Sequence, residues 1–152
     1  MQEAKEQLSR REQQHIENAL IGLVYEYPNL KGLMIDEVEF NKVIENTPTL
    51  SLFTLPGVIK KEEYITGAYI GQYPFQLIYA TKPTNTEGRI DRQTKLEILA
   101  EWLEGGTSYP GLTGNRAIQK IERTSCVSLA ERLENGLELY QIAMNLEYGR
   151  EV

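Results

Sequence analysis

Residues 137–148, LELYQIAMNLEY, alternate for longer than a half-buried strand ordinarily does. Tyr140, Ile142, Met144, Leu146 and Tyr148 fall on one face of an extended chain, and Gln141, Ala143, Asn145 and Glu147 on the other. Wound into a helix, the five apolar residues would scatter around the axis, so the segment reads as a strand. Asn135-Gly136 stands directly before it. Both residues accept positive φ, and the pair predicts a two-residue type I′ hairpin turn. With Glu134 paired to Leu137, Leu129 faces Ile142 and Val127 faces Met144, apolar on apolar. SLAERL (128–133) reads as a helical turn on propensity alone, and that alternative stays open.

A second alternation runs through EEYITGAYIGQYPFQLIYATK (62–82). It places Ile65, Tyr69, Tyr73, Phe75, Leu77 and Tyr79 on one face, with Thr66, Ala68, Gln72 and Gln76 opposite. Gly67, Gly71 and Pro74 interrupt it; proline has no ladder donor, so Pro74 is expected at an edge, a bulge or a break between strands. LKGLMIDEVEF (30–40) reads as one strand or two short ones, and TPTLSLFTLPG (47–57) as a short strand around Leu50 and Leu52.

The aromatic face needs a cover, and RQTKLEILAEWLE supplies one. Leu96, Leu99, Ala100 and Leu103 form its apolar stripe, Ile98 and Trp102 broaden it, Asp91 can cap its start and Gly105-Gly106 ends it. That leaves 82–90 as a polar loop and 105–117 as a glycine-rich one. A further helix is expected over about 2–26, where Ile16, Ala19, Leu20, Leu23, Val24 and Tyr27 share a stripe and Pro28 stops it. Its first half is charged or amide-bearing apart from Ala4 and Leu8, so it is expected to project or fray from a surface helix packed by its second half, or to await a partner subunit. The fold class is α+β: one domain over 1–152, with a mixed or antiparallel sheet and helices packed on one face. Residues 1–28 carry the N-terminal helix and 30–152 the sheet with its covering helix.

Little in the chain suggests chemistry. The single histidine, His15, lies on the polar part of the first helix, and the single cysteine, Cys126, lies among apolar residues in a predicted strand, where a thiol is expected to be buried and inert. Two such residues are too few for a His/Cys metal site, and no nucleophile–base pair is evident. Neighbouring carboxylates (Asp36, Glu37, Glu39; Glu62, Glu63) point to opposite faces along a strand, although a two-carboxylate hydrolase stays as a third reading. The glycines of 105–117 are followed by neither Lys-Ser nor Lys-Thr, so a phosphate loop is not indicated. A net charge of −6 repels phosphate, and no basic residue interleaves the rings between Tyr64 and Thr81, which argues against nucleic-acid binding. No apolar run approaches the roughly 20 residues of a membrane span. The N-terminus lacks the pattern of a signal peptide, and one cysteine favours a reducing compartment, so a cytoplasmic product is expected. Neither enzymatic activity nor a cofactor is expected; the chain should work through its surfaces.

The order FQLIYAT (75–81), a polar loop, IDRQTKLEILAEWLE (90–104), YPGL (109–112), AIQKI (117–121) and NGLELYQIAMNLEYG (135–149) resembles the minor capsid and tail-terminator proteins of long-tailed bacteriophages of Gram-positive hosts. Similar proteins occur in phage-derived particles such as contractile bacteriocins. The resemblance covers about two-thirds of the chain, from Leu50 onward, and rests on spaced hydrophobic and aromatic positions. It implies a small sheet covered on one face by helices, assembled as a six-membered ring on the end of a tail tube. Such a ring stops tube growth and joins the tail to a head connector, or closes a headless particle as a collar. It implies no catalytic residues. The implied partners are further copies of the chain, tube and sheath proteins and a head connector, met in the host bacterial cytoplasm and then in the particle. The material available for subunit contacts is the strand ends and the two long loops: Glu87, Arg89, Tyr109, Asn115, Arg116, Glu147 and Arg150, with strand 137–148 close to the boundary. The alternative is a small cytosolic α+β binding or regulatory domain unrelated to phage.

Overall fold

The two long alternations form the two central strands of one sheet. The computed structural model describes residues 2–35, 37–42, 48–57, 59–105, 109–112 and 115–151, with side chains from Arg10 onward. In chain order the elements are α1 (Gln2–Tyr25), a 3-10 turn (Leu30–Leu33), β1 (Val38–Phe40), β2 (Thr49–Thr54), β3 (Lys60–Glu63), β4 (Tyr69–Thr81), α2 (Thr86–Glu104), β5 (Arg116–Arg123), β6 (Ser128–Arg132) and β7 (Glu138–Arg150). The fold is α+β, with a seven-stranded sheet.

β4 and β7, 13 residues each, pair antiparallel over their whole lengths, from Tyr69 with Arg150 to Thr81 with Glu138. Two short strands line each outer side of this ribbon: β2 and β3 along β4, and β5 and β6 along β7. β1 adds a parallel strand beyond β2 and makes the sheet mixed. The length of β7 is therefore used inside the chain. Both of its edges carry ladder hydrogen bonds, which a terminal strand placed at the rim would lack.

Alternation then sorts the side chains. Tyr73, Phe75, Leu77 and Tyr79 of β4 and Tyr140, Ile142, Met144, Leu146 and Tyr148 of β7 are buried beneath both helices. α1 brings Ile16, Leu20, Leu23 and Val24; α2 brings Leu96, Leu99, Ala100 and Leu103. Tyr27 and the half-buried Trp102 meet where the helices approach, ring centroids 5.4 Å apart. Each such side chain contributes about 1.5–3 kcal/mol by leaving water. On the opposite face Ile78, Ala80, Leu137 and Leu139 form a smaller cluster with Phe53 and Leu133, while Gln72, Gln76, Gln141 and Asn145 are half-buried.

Pro74 stands inside the central ribbon, opposite Asn145, and not at an edge or bulge. The break that its missing N–H demands lies in the neighbouring row. β3 covers β4 only at residues 69–71 and β2 only at 75–80. Between them the chain crosses over, where Gln72 N donates to Ile59 O (2.8 Å) and Leu55 N to Pro74 O (3.0 Å). The proline nitrogen faces that gap, so no ladder bond is lost. Gly57 fits the crossing: a Cβ there would stand 2.6 Å from Pro74 Cγ.

Other expectations are corrected. α2 begins at Thr86, not after Asp91, because Asn85 is the N-cap and its Oδ1 accepts from Gly88 N at 2.7 Å. Asp91 lies inside the helix, paired with Arg92 and Lys95. Residues 30–35 form the 3-10 turn and its exit, which buries Leu33 and Ile35 without a strand. Cys126 is exposed and lies between β5 and β6, outside any strand.

The hairpin at Asn135-Gly136 exists, and residues 128–132 are strand, but the turn has three residues. Leu133 N donates to Leu137 O (2.8 Å) and Gly136 N to Leu133 O (3.1 Å), with only Gly136 at positive φ, 85°. A type I turn closed by a left-handed glycine fits this pattern. The change of loop length, with a bulge between Leu129 and Glu131, sets Leu129 opposite Tyr140 and leaves Met144 opposite Arg123. The β3–β4 turn repeats the device: Tyr64 N donates to Ala68 O and Gly67 N to Tyr64 O, with Gly67 at φ 93°. Ile65 therefore sits at a hairpin tip, 108% exposed, and not on the buried aromatic face.

Candidate interaction surfaces

Of the polar half of α1, the side chains from Arg10 onward are described, and one of them is drawn inward. Glu12 is 6% exposed although its neighbours along the helix are polar. It precedes Ile16 by four residues, so it continues the apolar stripe towards the N-terminus. Arg116 Nε at the start of β5 donates to Glu12 Oε1 at 2.8 Å, and Tyr69 Oη at the start of β4 donates to the same oxygen. Burial, then the hydrogen bond to Glu12, push the Tyr69 phenol up from its ordinary value. Tyr148 lies beside this group with its ring over Gly71, where a Cβ would meet Tyr148 Cζ at 2.2 Å. Burial also pushes the Tyr148 phenol up.

Two further carboxylates are buried on β7. Glu147 faces away from the helices and accepts from Lys61 Nζ of β3 at 2.6 Å, with Lys120 Nζ of β5 at 3.6 Å. The Lys61 hydrogen bond outweighs burial and holds the Glu147 carboxyl below its ordinary value. Glu138, 2% exposed, accepts from Arg89 Nε at 3.2 and 3.1 Å and from Arg132 Nη2 at 3.2 Å. Burial alone would raise its pKa; the two guanidiniums reverse the direction. With Glu17 bound to Arg10 at 2.7 Å, every buried carboxylate among the described residues has a cation from its own chain. Such pairs tie helix, central strands and edge strands together.

Of the seven residues expected at a subunit contact, Glu87 and Arg89 lie at one end of the sheet, Tyr109 at the C-terminus of α2, and the remaining four together at the other end. Glu87 is exposed in the first turn of α2 and Arg89 is held by Glu138. Neither belongs to a loop, because α2 starts earlier. Tyr109 is half-buried and its hydroxyl donates to Leu103 O and Glu104 O at 2.9 and 3.3 Å, closing the C-terminus of α2. Asn115, Arg116, Glu147 and Arg150 gather at the other end. Asn115 is exposed at φ 57° with its carbonyl bound to Glu151 N. Arg150 is exposed, its guanidinium 5.8 Å from the Tyr69 ring centroid. Arg116 and Glu147 turn their charges inward instead, to Glu12 and the two lysines.

Sequence reasoning missed Glu12, Glu17 and Glu138. Their partners are remote for Glu12 and Glu138; only the place of Glu12 on the stripe could have marked it. It also missed a cleft of about 440 Å³ at the Arg116 end, lined by Asn115, Arg116, Ala117, Gln119, Gly149 and Glu151. Among the described residues no three of His, Cys, Asp and Glu come together as a metal ion would need, and no helix is long and apolar enough to cross a membrane. The chain matches no protein-family model and no curated protein.

Proposed function

We propose that the chain is a structural protein of the tail-terminator or collar type. A ring of copies, six in the expected form, sits on the end of a phage or phage-like tail tube, stops its growth, and closes it or joins it to a head connector. The observation that carries this reading is the pair of unlike, exposed edges on one sheet. β3 at one side and β6 at the other are solvent-exposed along their whole lengths. A closed ring needs two different patches on each subunit, one meeting the other on the next copy. The element order from Leu50 onward, which resembles tail-terminator proteins, supports the same reading, as does the use of the buried carboxylates as ties between elements.

Charges on the edges, among them Lys60, Lys61, Glu62, Glu63, Glu131 and Arg132, discourage open-ended pairing in free copies. Each contact is then weak alone, and a tube end that aligns the copies raises their effective concentration. Tube and sheath proteins are the partners in the particle, reached from the host bacterial cytoplasm. Electron microscopy of particles made with and without the protein tests this. Overlong or open tails are expected in its absence; tails of normal length and closure would defeat the reading and favour a small binding or regulatory domain.

A further inference from the structure

Asn135 and Gly136 are both exposed, and Asn-Gly occurs once in the sequence. The pair carries a chemistry of its own. The Gly136 amide nitrogen can attack the Asn135 side-chain carbonyl, because glycine puts no side chain in the way; even a Cβ at Gly136 would have nothing within 4 Å. The nitrogen gives up its proton and bonds to Cγ, the Cγ–Nδ2 bond breaks, and the side-chain nitrogen leaves as ammonia. Water then opens the cyclic imide on either side. Breaking the bond from the nitrogen to Cγ gives Asp. Breaking its bond to the main-chain carbonyl carbon gives isoaspartate, with the chain rerouted through Cβ and Cγ.

The folded turn opposes this on three counts. Gly136 N–H is donated to Leu133 O at 3.1 Å, so the proton that must leave is held. That bond closes a β-turn whose central residues, Glu134 and Asn135, both lack positive φ. The turn is therefore type I, with a ψ of about 0° at its second central residue. Ring closure needs the Gly136 nitrogen swung instead to the side of Asn135 that carries Cβ. Finally, Leu137 N–H holds the Asn135 Oδ1 at 3.1 Å.

We propose that Asn135 is a self-modification site gated by this hairpin: it converts when the turn opens, and the isoaspartate product then releases β6. Loop length fixes the register of a hairpin. Isoaspartate adds a carbon atom to the backbone of a three-residue loop. The Leu133–Leu137 bond and the ladder from Ser128–Gln141 to Arg132–Glu138 then no longer fit together. Little else holds β6, which is exposed along its whole length. Its ties are Arg132 to Glu138 and the packing of the adjoining Leu133 on the cluster of Ile78, Ala80, Leu137 and Leu139. Asp, by contrast, keeps the backbone and an oxygen for Leu137 N, so one reaction yields a silent product and a disruptive one. The inference does not rest on the ring reading. In a ring, a released β6 would remove one of the two edges that each copy offers.

The test ages the full chain in mildly alkaline buffer, folded and in urea, and follows each asparagine by peptide mass spectrometry. Asn135 should convert first, and about tenfold more slowly in the folded chain than in urea, because only the locally opened hairpin reacts. Leu133→Ala loosens the turn and leaves the main core alone, since Leu133 is half-buried in the smaller cluster. It should speed conversion in the folded chain and leave the rate in urea unchanged. The Asp and isoaspartate forms are then separated by chromatography and compared by amide hydrogen exchange. Residues 128–132 should exchange faster in the isoaspartate form than in the Asp form or the fresh chain. Equal rates in folded and unfolded chains, or no response to Leu133→Ala, overturn the gate. Another asparagine converting first in the folded chain overturns the site. Equal exchange in the two products overturns the release of β6.

Discussion

Glu12 of α1 and Arg116 of β5 lie 104 positions apart in sequence and are joined at 2.8 Å. The pair is nearly dry, with side-chain exposures of 7% and 11%, and it ties α1 at Glu12 to the start of β5. Removing one partner leaves a buried charge unmatched, which costs about 3–5 kcal/mol. Glu12→Ala should therefore lower the urea-unfolding free energy by that order. Glu12→Met with Arg116→Met should restore much of it, since both charges are then gone. Equal losses in the single and double variants would show that the ion pair is not what fixes α1.

Acid should loosen the edge strands through β7. Glu147 and Glu138 both have folded pKa values below the ordinary carboxylate value. A depressed carboxyl contributes stability above its unfolded pKa, about 4.3, and that contribution is lost as pH falls through the folded value. Stability should thus be level towards neutral pH and decline below about pH 4.3. Glu147→Gln should flatten part of that decline and cost about 1 kcal/mol at pH 7, since its lysine partners are half in water. An acid profile identical to that of the native chain would remove Glu147 from the account.

Gly71 is expected to tolerate nothing larger. A Cβ would overlap the Tyr148 ring at 2.2 Å, so Gly71→Ala should cost about 1–3 kcal/mol through displacement of a packed aromatic. Adding Tyr148→Leu to Gly71→Ala should cost less than Tyr148→Leu costs the native chain. Simple additivity in thermal unfolding would mean that the ring and the glycine do not interact.

The left-handed turn positions can be probed the same way. Gly136 has φ 85° and open space around it, so Gly136→Ala carries only the backbone penalty, about 1–2 kcal/mol. Asn135→Asp keeps an oxygen to accept from Leu137 N and should be near neutral in the same measurement. A neutral Gly136→Ala would be inconsistent with the three-residue turn.

The core helix offers the plainest check. Leu99 is fully buried between α2 and the sheet, and Leu99→Ala should cost about 2–5 kcal/mol in chemical denaturation. A loss below 1 kcal/mol would mean that α2 is displaced from the sheet.

Period alone determined much of this fold. A repeat of two made β4 and β7 strands and assigned their inner faces, and a repeat near 3.6 made α1 and α2 helices with Leu20 and Leu99 inward, because periodicity is a property of the local chain. Asn85 carried the start of α2 as well, a local cap signal that Gly88, three residues on, disguises as loop. Only the tertiary structure decided that Pro74 could stand in a central strand, because the gap between β3 and β2 absorbs its missing donor. It also decided that Glu12, Glu138 and Glu147 are buried. A carboxylate leaves water only when a cation meets it, and the cations hydrogen-bonded to Glu12 and Glu147 stand 104 and 86 residues away along the chain. The cleft is of the same kind: Ala117 and Gly149 become a floor only once β5 and β7 pair in their particular register.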